Sequence, residues 1–244
     1  MAPSLNSTFG AGMIGLFASA TLYGVTLLQT FRYFRRYPDD RVSLKWLISA
    51  LCFADTAHLV LCTWSFHWYL VVNFGNVENL SIPHWTMNLQ ATVNGFIGVS
   101  FLLFNARRVY HMSSKICLAA SIFTLAMVHG TLCIYFSVES FVLDDFMEYS
   151  KLTWVICVGL GSSAAANILA ALSLCYCLKK SRTSFLCSNA LITRLMLYTI
   201  NSGILTSITA TISLATFAAM PTNFIWLSFF WILGRFYVNS LLAM

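Results

Sequence analysis

Residues 46–72 read WLISALCFADTAHLVLCTWSFHWYLVV. The only formally charged side chain in that stretch is Asp55. About 20 apolar residues suffice to cross the hydrocarbon core of a bilayer as a helix. The stretch is therefore long enough to span. Six further runs have the same character: Phe9–Phe31, Thr86–Ala106, Ile116–Phe136, Trp154–Leu178, Leu195–Ala219 and Phe224–Ala243. Lipid cannot satisfy free backbone N–H and C=O groups, so each run must fold as a helix or pair within a closed barrel. Barrel strands of about ten residues would alternate polar and apolar positions, and these runs are apolar throughout.

Composition agrees. Of 244 residues, 59% are hydrophobic and 9% are charged, against about 25% charged in a soluble domain. Such a chain cannot clothe a globular surface in solvated side chains. The reading excludes a soluble enzyme and a disordered chain. The net charge of +6 sits in short clusters between the apolar runs. It points to anionic lipid headgroups at the basic loops and not to nucleic acid.

The clusters also orient the chain. The first connection holds Arg32, Arg35, Arg36, Arg41 and Lys45. The third holds Arg107, Arg108 and Lys115, and the fifth holds Lys179, Lys180 and Arg182. Even-numbered connections hold one basic residue, Lys151, beside Glu78, Glu139, Asp144, Asp145 and Glu148. The positive-inside rule places the odd connections in the cytoplasm. No Lys or Arg precedes the first run, so it is not a cleaved signal peptide. The expectation is an all-α integral membrane protein, a bundle of seven transmembrane helices with the N-terminus out and the C-terminus in. Residues 1–8 form a short extracellular tail and residues 9–244 the bundle. The glycosylation sequons at Asn6 and Asn79 fall on the expected outside. Trp64, Trp68, Trp85, Trp154 and Trp226 near the outer ends, with Trp46, Tyr33, Tyr37 and Tyr110 near the inner ends, read as interfacial belts. None of the eight cysteines lies in an outer connection, so no external disulfide framework is implied.

Small and polar residues mark the packing faces. Ser202, Thr206, Thr209, Ser213 and Thr216 recur at steps of four and three on the sixth span. Gly159, Ser163 and Asn167 do so on the fifth, and Ala11, Gly15 and Ser19 on the first. Such stripes let helices approach closely in lipid. Asn201 and Asn239 are expected to clasp neighbouring helices. All four prolines lie outside the spans, and no internal repeat or paired helix break marks a transporter site.

Candidate chemistry is sparse. A carboxylate at mid-membrane costs about 2.5–3.5 kcal/mol on the insertion scale, so Asp55 must face inward and find a partner. His58 lies one turn away on the same face. Asn94 is deep enough to line an outer cavity, and His129 lies in the outer half of the fourth span. Asp55, His58, Asn94 and His129 together form the expected ligand-binding or polar core. A membrane zinc hydrolase would need about three ligands and an open water position. Asp55, His58 and His129 are the only deep candidates, and no zinc, nucleotide or hydrolase motif is present. The seventh span has no lysine to bind retinal. No metal, cofactor or catalytic activity is expected.

The end of the chain resembles a known family. The segments are Ser181-Arg182-Thr183-Ser184-Phe185, Tyr198-Thr199-Ile200-Asn201-Ser202-Gly203-Ile204-Leu205-Thr206-Ser207, Pro221-Thr222-Asn223 and Phe236-Tyr237-Val238-Asn239-Ser240-Leu241-Leu242-Ala243. They resemble the fungal seven-transmembrane-type proteins that carry domain of unknown function 6534, most strongly over residues 160–244. Upstream, Asp55-Thr56-Ala57-His58 and Asn73-Phe74-Gly75-Asn76 resemble the family's second span and outer turn. Ser184 stands where that family shows glycine, and Asn167 where it shows an acid. The family continues past the position of Ala243, so the resemblance implies a shortened end. It implies topology and no activity. The functional expectation is receptor-like sensing of a small ligand at the plasma membrane, with a cytoplasmic signalling partner. The alternatives are a transporter or proton-linked channel using Asp55 and His58, or a structural membrane protein.

Overall fold

A computed structural model describes residues 6–76, 79–80, 82–113, 115–143, 145–180, 186–220 and 223–243. The segment at 181–185, Pro221-Thr222, Ser81 and Asp144 lie outside the described residues, as do the side chains of Asn6 and Cys187. The described residues form helices α1 (Ala11–Arg36), α2 (Val42–His67), α3 (Trp85–Ser113), α4 (Ile116–Val142), α5 (Thr153–Lys180), α6 (Leu186–Ala219) and α7 (Ile225–Ala243). A π-helical turn, Asn6–Gly10, leads into α1 and another, Trp68–Val72, extends α2. A 3-10 segment, Phe146–Leu152, leads into α5. No strand occurs among the described residues. Seven helices are long and apolar enough to cross a membrane, one for each apolar run.

The helices outlast the runs that announce them. α3 continues seven residues beyond Ala106, and α6 begins at Leu186, ahead of Leu195. Hydropathy marks the part of a helix that needs lipid, whereas backbone hydrogen bonding continues through the basic turns into the headgroup layer.

Short connections make sequence neighbours antiparallel. The basic turns therefore gather at one end of the bundle and the acidic ones at the other. The helices close a ring in chain order, α1 against α2 and so on to α7 against α1. α3 also meets α5 and α7, which places it at the centre. α3 and α7 are the most buried of the seven.

Small residues set the tightest approaches. Gly15 of α1 lies against Ser228 of α7 so closely that a Cβ there would stand 2.6 Å from the Ser228 Cα. That contact is backbone and cannot rotate away. The adjacent Ser228 Oγ donates to Ala11 O at 2.9 Å. The α6 stripe also faces inward, with Thr206, Thr209 and Ser213 buried. Most of its hydroxyls donate to their own helix, and Ser213 alone among them bonds α7, through Trp226 O at 2.9 Å.

Two expectations need correction. Trp226 does not belong to the interfacial belt: it is 6% exposed and packs edge-on against Phe217. Asn201 does not clasp a neighbour, because it lies on the exposed face of α6. Trp46, Trp64, Trp85 and Trp154 are exposed on the outside of the bundle, where amphipathic rings meet headgroups.

Candidate functional site

The partner that Asp55 requires is Arg235, midway along α7. Both are 0% exposed. The guanidinium forms an ion pair with the Asp55 carboxylate, and Nη1 also donates to Asp55 O at 2.8 Å. Nε donates to Ser19 Oγ of α1 at 2.8 Å, and Nη2 lies 3.2 Å from His58 Nδ1. The Tyr23 ring stands 5.5 Å from the guanidinium carbon. One planar cation thus ties α1, α2 and α7 together, using the fork of donors that only arginine offers.

That contact fixes the state of His58. A guanidinium has no lone pair, so His58 Nδ1 accepts and Nε2 carries the proton. Nε2 then donates to Gln90 Oε1 of α3 at 3.2 Å. The same oxygen accepts from Trp231 Nε1 at 2.6 Å. Trp231 lies one turn from Arg235 on α7, so the path Arg235, His58, Gln90, Trp231 closes on itself. Every group in it is buried. The path explains how a charged pair persists in a bundle of apolar helices: the guanidinium, the imidazole, the Gln90 oxygen and the indole N–H each meet a polar neighbour.

Gln90 also lines a cavity of about 40 Å³ between α3, α4, α5 and α7. Its wall is mostly apolar, from residues such as Ala91, Leu132, Phe136, Ile156 and Phe230, with His129 as the second polar group. At about 10–15 Å³ each, roughly three waters would fill it. His129 Nδ1 lies 2.9 Å from Gly159 O and donates to it, which leaves Nε2 as an acceptor. Nε2 stands over Gly98, where a Cβ would come within 2.9 Å of it.

The expected set Asp55, His58, Asn94 and His129 is therefore divided. Asp55 and His58 belong to the arginine clasp, His129 to the cavity, and Gln90 joins the two. Asn94 bonds none of the polar groups of the clasp or the cavity, and meets only the backbone of the wall residue Phe230. Its Nδ2 donates to Phe230 O of α7 at 2.8 Å, and a Cβ on Gly234 would collide with its Oδ1. Lower down, Tyr237 OH meets Ser163 Oγ at 2.5 Å and accepts from Asn167 Nδ2 at 3.1 Å. Asn239 binds α7 to α1, with Oδ1 accepting from Thr26 Oγ1 at 3.0 Å and Nδ2 donating to Leu22 O at 3.2 Å. Asn79 Nδ2 donates to Asn73 Oδ1.

Arg235 is the residue that sequence reasoning missed. Its signal was present: it is a basic residue inside an apolar run, with charge opposite to the buried acid. Counting basic residues only in the connections passed over it. In sequence Gln90 stands with Asn88 and Asn94 at a mixed spacing that forms no single helix face, and only the fold brings it between His58 and Trp231. Among the described residues, no three His, Cys, Asp or Glu side chains gather as metal ligands would.

Residues 163–244 match the family of unknown function DUF6534. The DUF6534 region holds one side of the site, with Arg235, Trp231 and Tyr237, and leaves Asp55, His58, Gln90 and His129 upstream of it. No curated protein and no solved structure matches the chain.

Proposed function

We propose that this polytopic membrane protein is a receptor-like sensor at the plasma membrane, with a small and largely apolar ligand held in the α3–α4–α5–α7 cavity. The observation that carries the reading is Gln90. It lines the cavity and also bonds the histidine that touches Arg235. Its oxygen accepts from His58 Nε2, Trp231 Nε1 and Cys62 Sγ, which leaves its amide nitrogen to recognise a ligand. A molecule that shifts Gln90 would disturb His58, and through it the pin between α1, α2 and α7. A cytoplasmic partner would read that shift at the basic end of the bundle. Diffuse attraction of anionic lipids to that end accompanies this role. The reading is non-enzymatic.

A proton-linked transporter or channel is the lesser reading. Asp55 and His58 are 0% and 1% exposed, so water would need a path that opens the clasp. A purely structural role leaves the cavity without a purpose.

Thermal melting of the purified protein under xenon and with ethanol, probes matched to a space of about three waters, tests the reading. Both should raise the melting temperature saturably in the native chain, and Ala91→Leu, which fills the cavity, should abolish the effect. Hydrogen exchange should then slow around Trp231–Asn239 as well as along the cavity wall. An Ala91→Leu variant that responds like the native chain, or protection confined to the wall, would remove sensing from consideration. Proton flux in proteoliposomes would favour transport instead.

A further inference from the structure

The turn between α1 and α2 and the last turns of α3 meet in an open cleft of about 570 Å³ at the basic end of the bundle. Its polar side presents Arg41, Arg107, Arg108 and His111. The one carboxylate there, Asp40, is engaged by Tyr33, whose hydroxyl donates to it at 2.9 Å. Arg41 and Arg107 are exposed and form no ion pair among the described residues. α2 begins at the rim, where Ser43 lines the cleft and no side chain caps the first amides. The start of a helix carries partial positive charge. Cations gathered from two separate elements around a cavity are the complement of a compact polyanion.

The rest of the lining forms an apolar wall of Leu44, Leu47, Phe104 and Met112. Trp46 and Tyr110, next in sequence to Leu47 and His111 of the lining, are 72% and 47% exposed, as rings are at the headgroup layer. A free phosphate has no use for such a wall, whereas the glycerol and upper acyl carbons of a lipid do. We propose that the cleft binds the phosphomonoester headgroup of an anionic membrane lipid, with its glycerol backbone against Leu47, Phe104 and Met112. A phosphomonoester brings about two negative charges and three acceptor oxygens, and arginine forks engage these in pairs. This deepens the diffuse lipid attraction into a saturable site, and it stands or falls independently of ligand sensing.

The test is titration of the purified full chain in detergent with dioctanoyl phosphatidylinositol 4,5-bisphosphate, followed by native mass spectrometry. Saturable binding is expected, and dioctanoyl phosphatidylcholine should not compete. Arg41→Gln with Arg107→Gln should weaken binding about 30-fold, as expected for two basic residues at a membrane surface. Arg32→Gln with Arg35→Gln removes equal charge outside the cleft and should change it less than about threefold. If the first pair fails to fold, each single substitution should still weaken binding about fivefold. Equal losses in the two pairs would reduce the site to diffuse attraction. Inositol trisphosphate binding as tightly as the lipid would assign the cleft to a soluble phosphate, and phosphatidylcholine competing equally would remove the headgroup claim. Each of these three results overturns the proposal.

Discussion

Arg235, midway along α7, and Arg107, near the end of α3, carry the same guanidinium at two depths of the bundle. Around Arg235 the chain supplies a carboxylate, a backbone carbonyl, a hydroxyl, an imidazole and an aromatic ring. Around Arg107 it leaves an open cleft and no ion pair among the described residues. The difference follows from solvent. In the bundle core an unanswered charge is costly, so α1, α2 and α7 must all contribute. At the headgroup layer water answers the charge, and the arginine remains free to meet a partner. The first region holds the helices together, and the second is the cleft proposed to take a lipid headgroup.

Substitutions can break this contrast, and the largest effect belongs to Arg235. Arg235→Met leaves Asp55 as an unpaired buried charge, a loss of about 3–5 kcal/mol. It should appear as poor yield in membranes and early melting in detergent, whereas Arg107→Met should melt like the native chain. Gln90→Leu comes next. It strands the His58 and Trp231 N–H groups at about 1–3 kcal/mol each, so the melting temperature should fall while the Asp55–Arg235 pair survives. Gly15→Val separates α1 from α7 by overpacking, at about 1–3 kcal/mol. Crosslinking between cysteines placed on those two helices should decline with it.

The smallest effect concerns pH at the acidic end. His84 precedes α3, stacks on Trp68 and bonds Thr86. Burial lowers its pKa below the ordinary 6.5. The unfolded chain then binds the extra proton more readily, so stability is complete above about pH 6.5 and declines as the pH falls toward the folded value. His84→Gln should flatten melting temperature against pH over that window, and an unchanged slope would exclude His84 as its source.

The spans were legible because lipid makes a simple demand: each segment must be long, apolar and free of unpaired charge. Asp55 was legible as a residue needing a partner for the same reason. The identity of that partner was not, since Arg235 lies 180 residues away and becomes a neighbour only when α7 closes the ring onto α1. Asn94 and Asn239 are alike in sequence as polar residues in apolar runs. Only packing distinguishes the one that meets Phe230 O from the one that meets Thr26 and Leu22. Trp226 misled because a tryptophan near a span end fits the lipid interface or an aromatic cluster equally well. The contact with Phe217 decides between them. Asn201 misled because a polar residue in an apolar run suggests a clasp, yet its position on α6 turns it outward.

The central claim is that Asp55 and Arg235 hold α2 to α7 as one unit. A double-mutant cycle on melting free energy, using Asp55→Leu, Arg235→Met and the combination, tests it directly. The account predicts that the double variant is more stable than either single one, because no charge remains buried alone. Losses that simply add would mean that the two side chains do not meet.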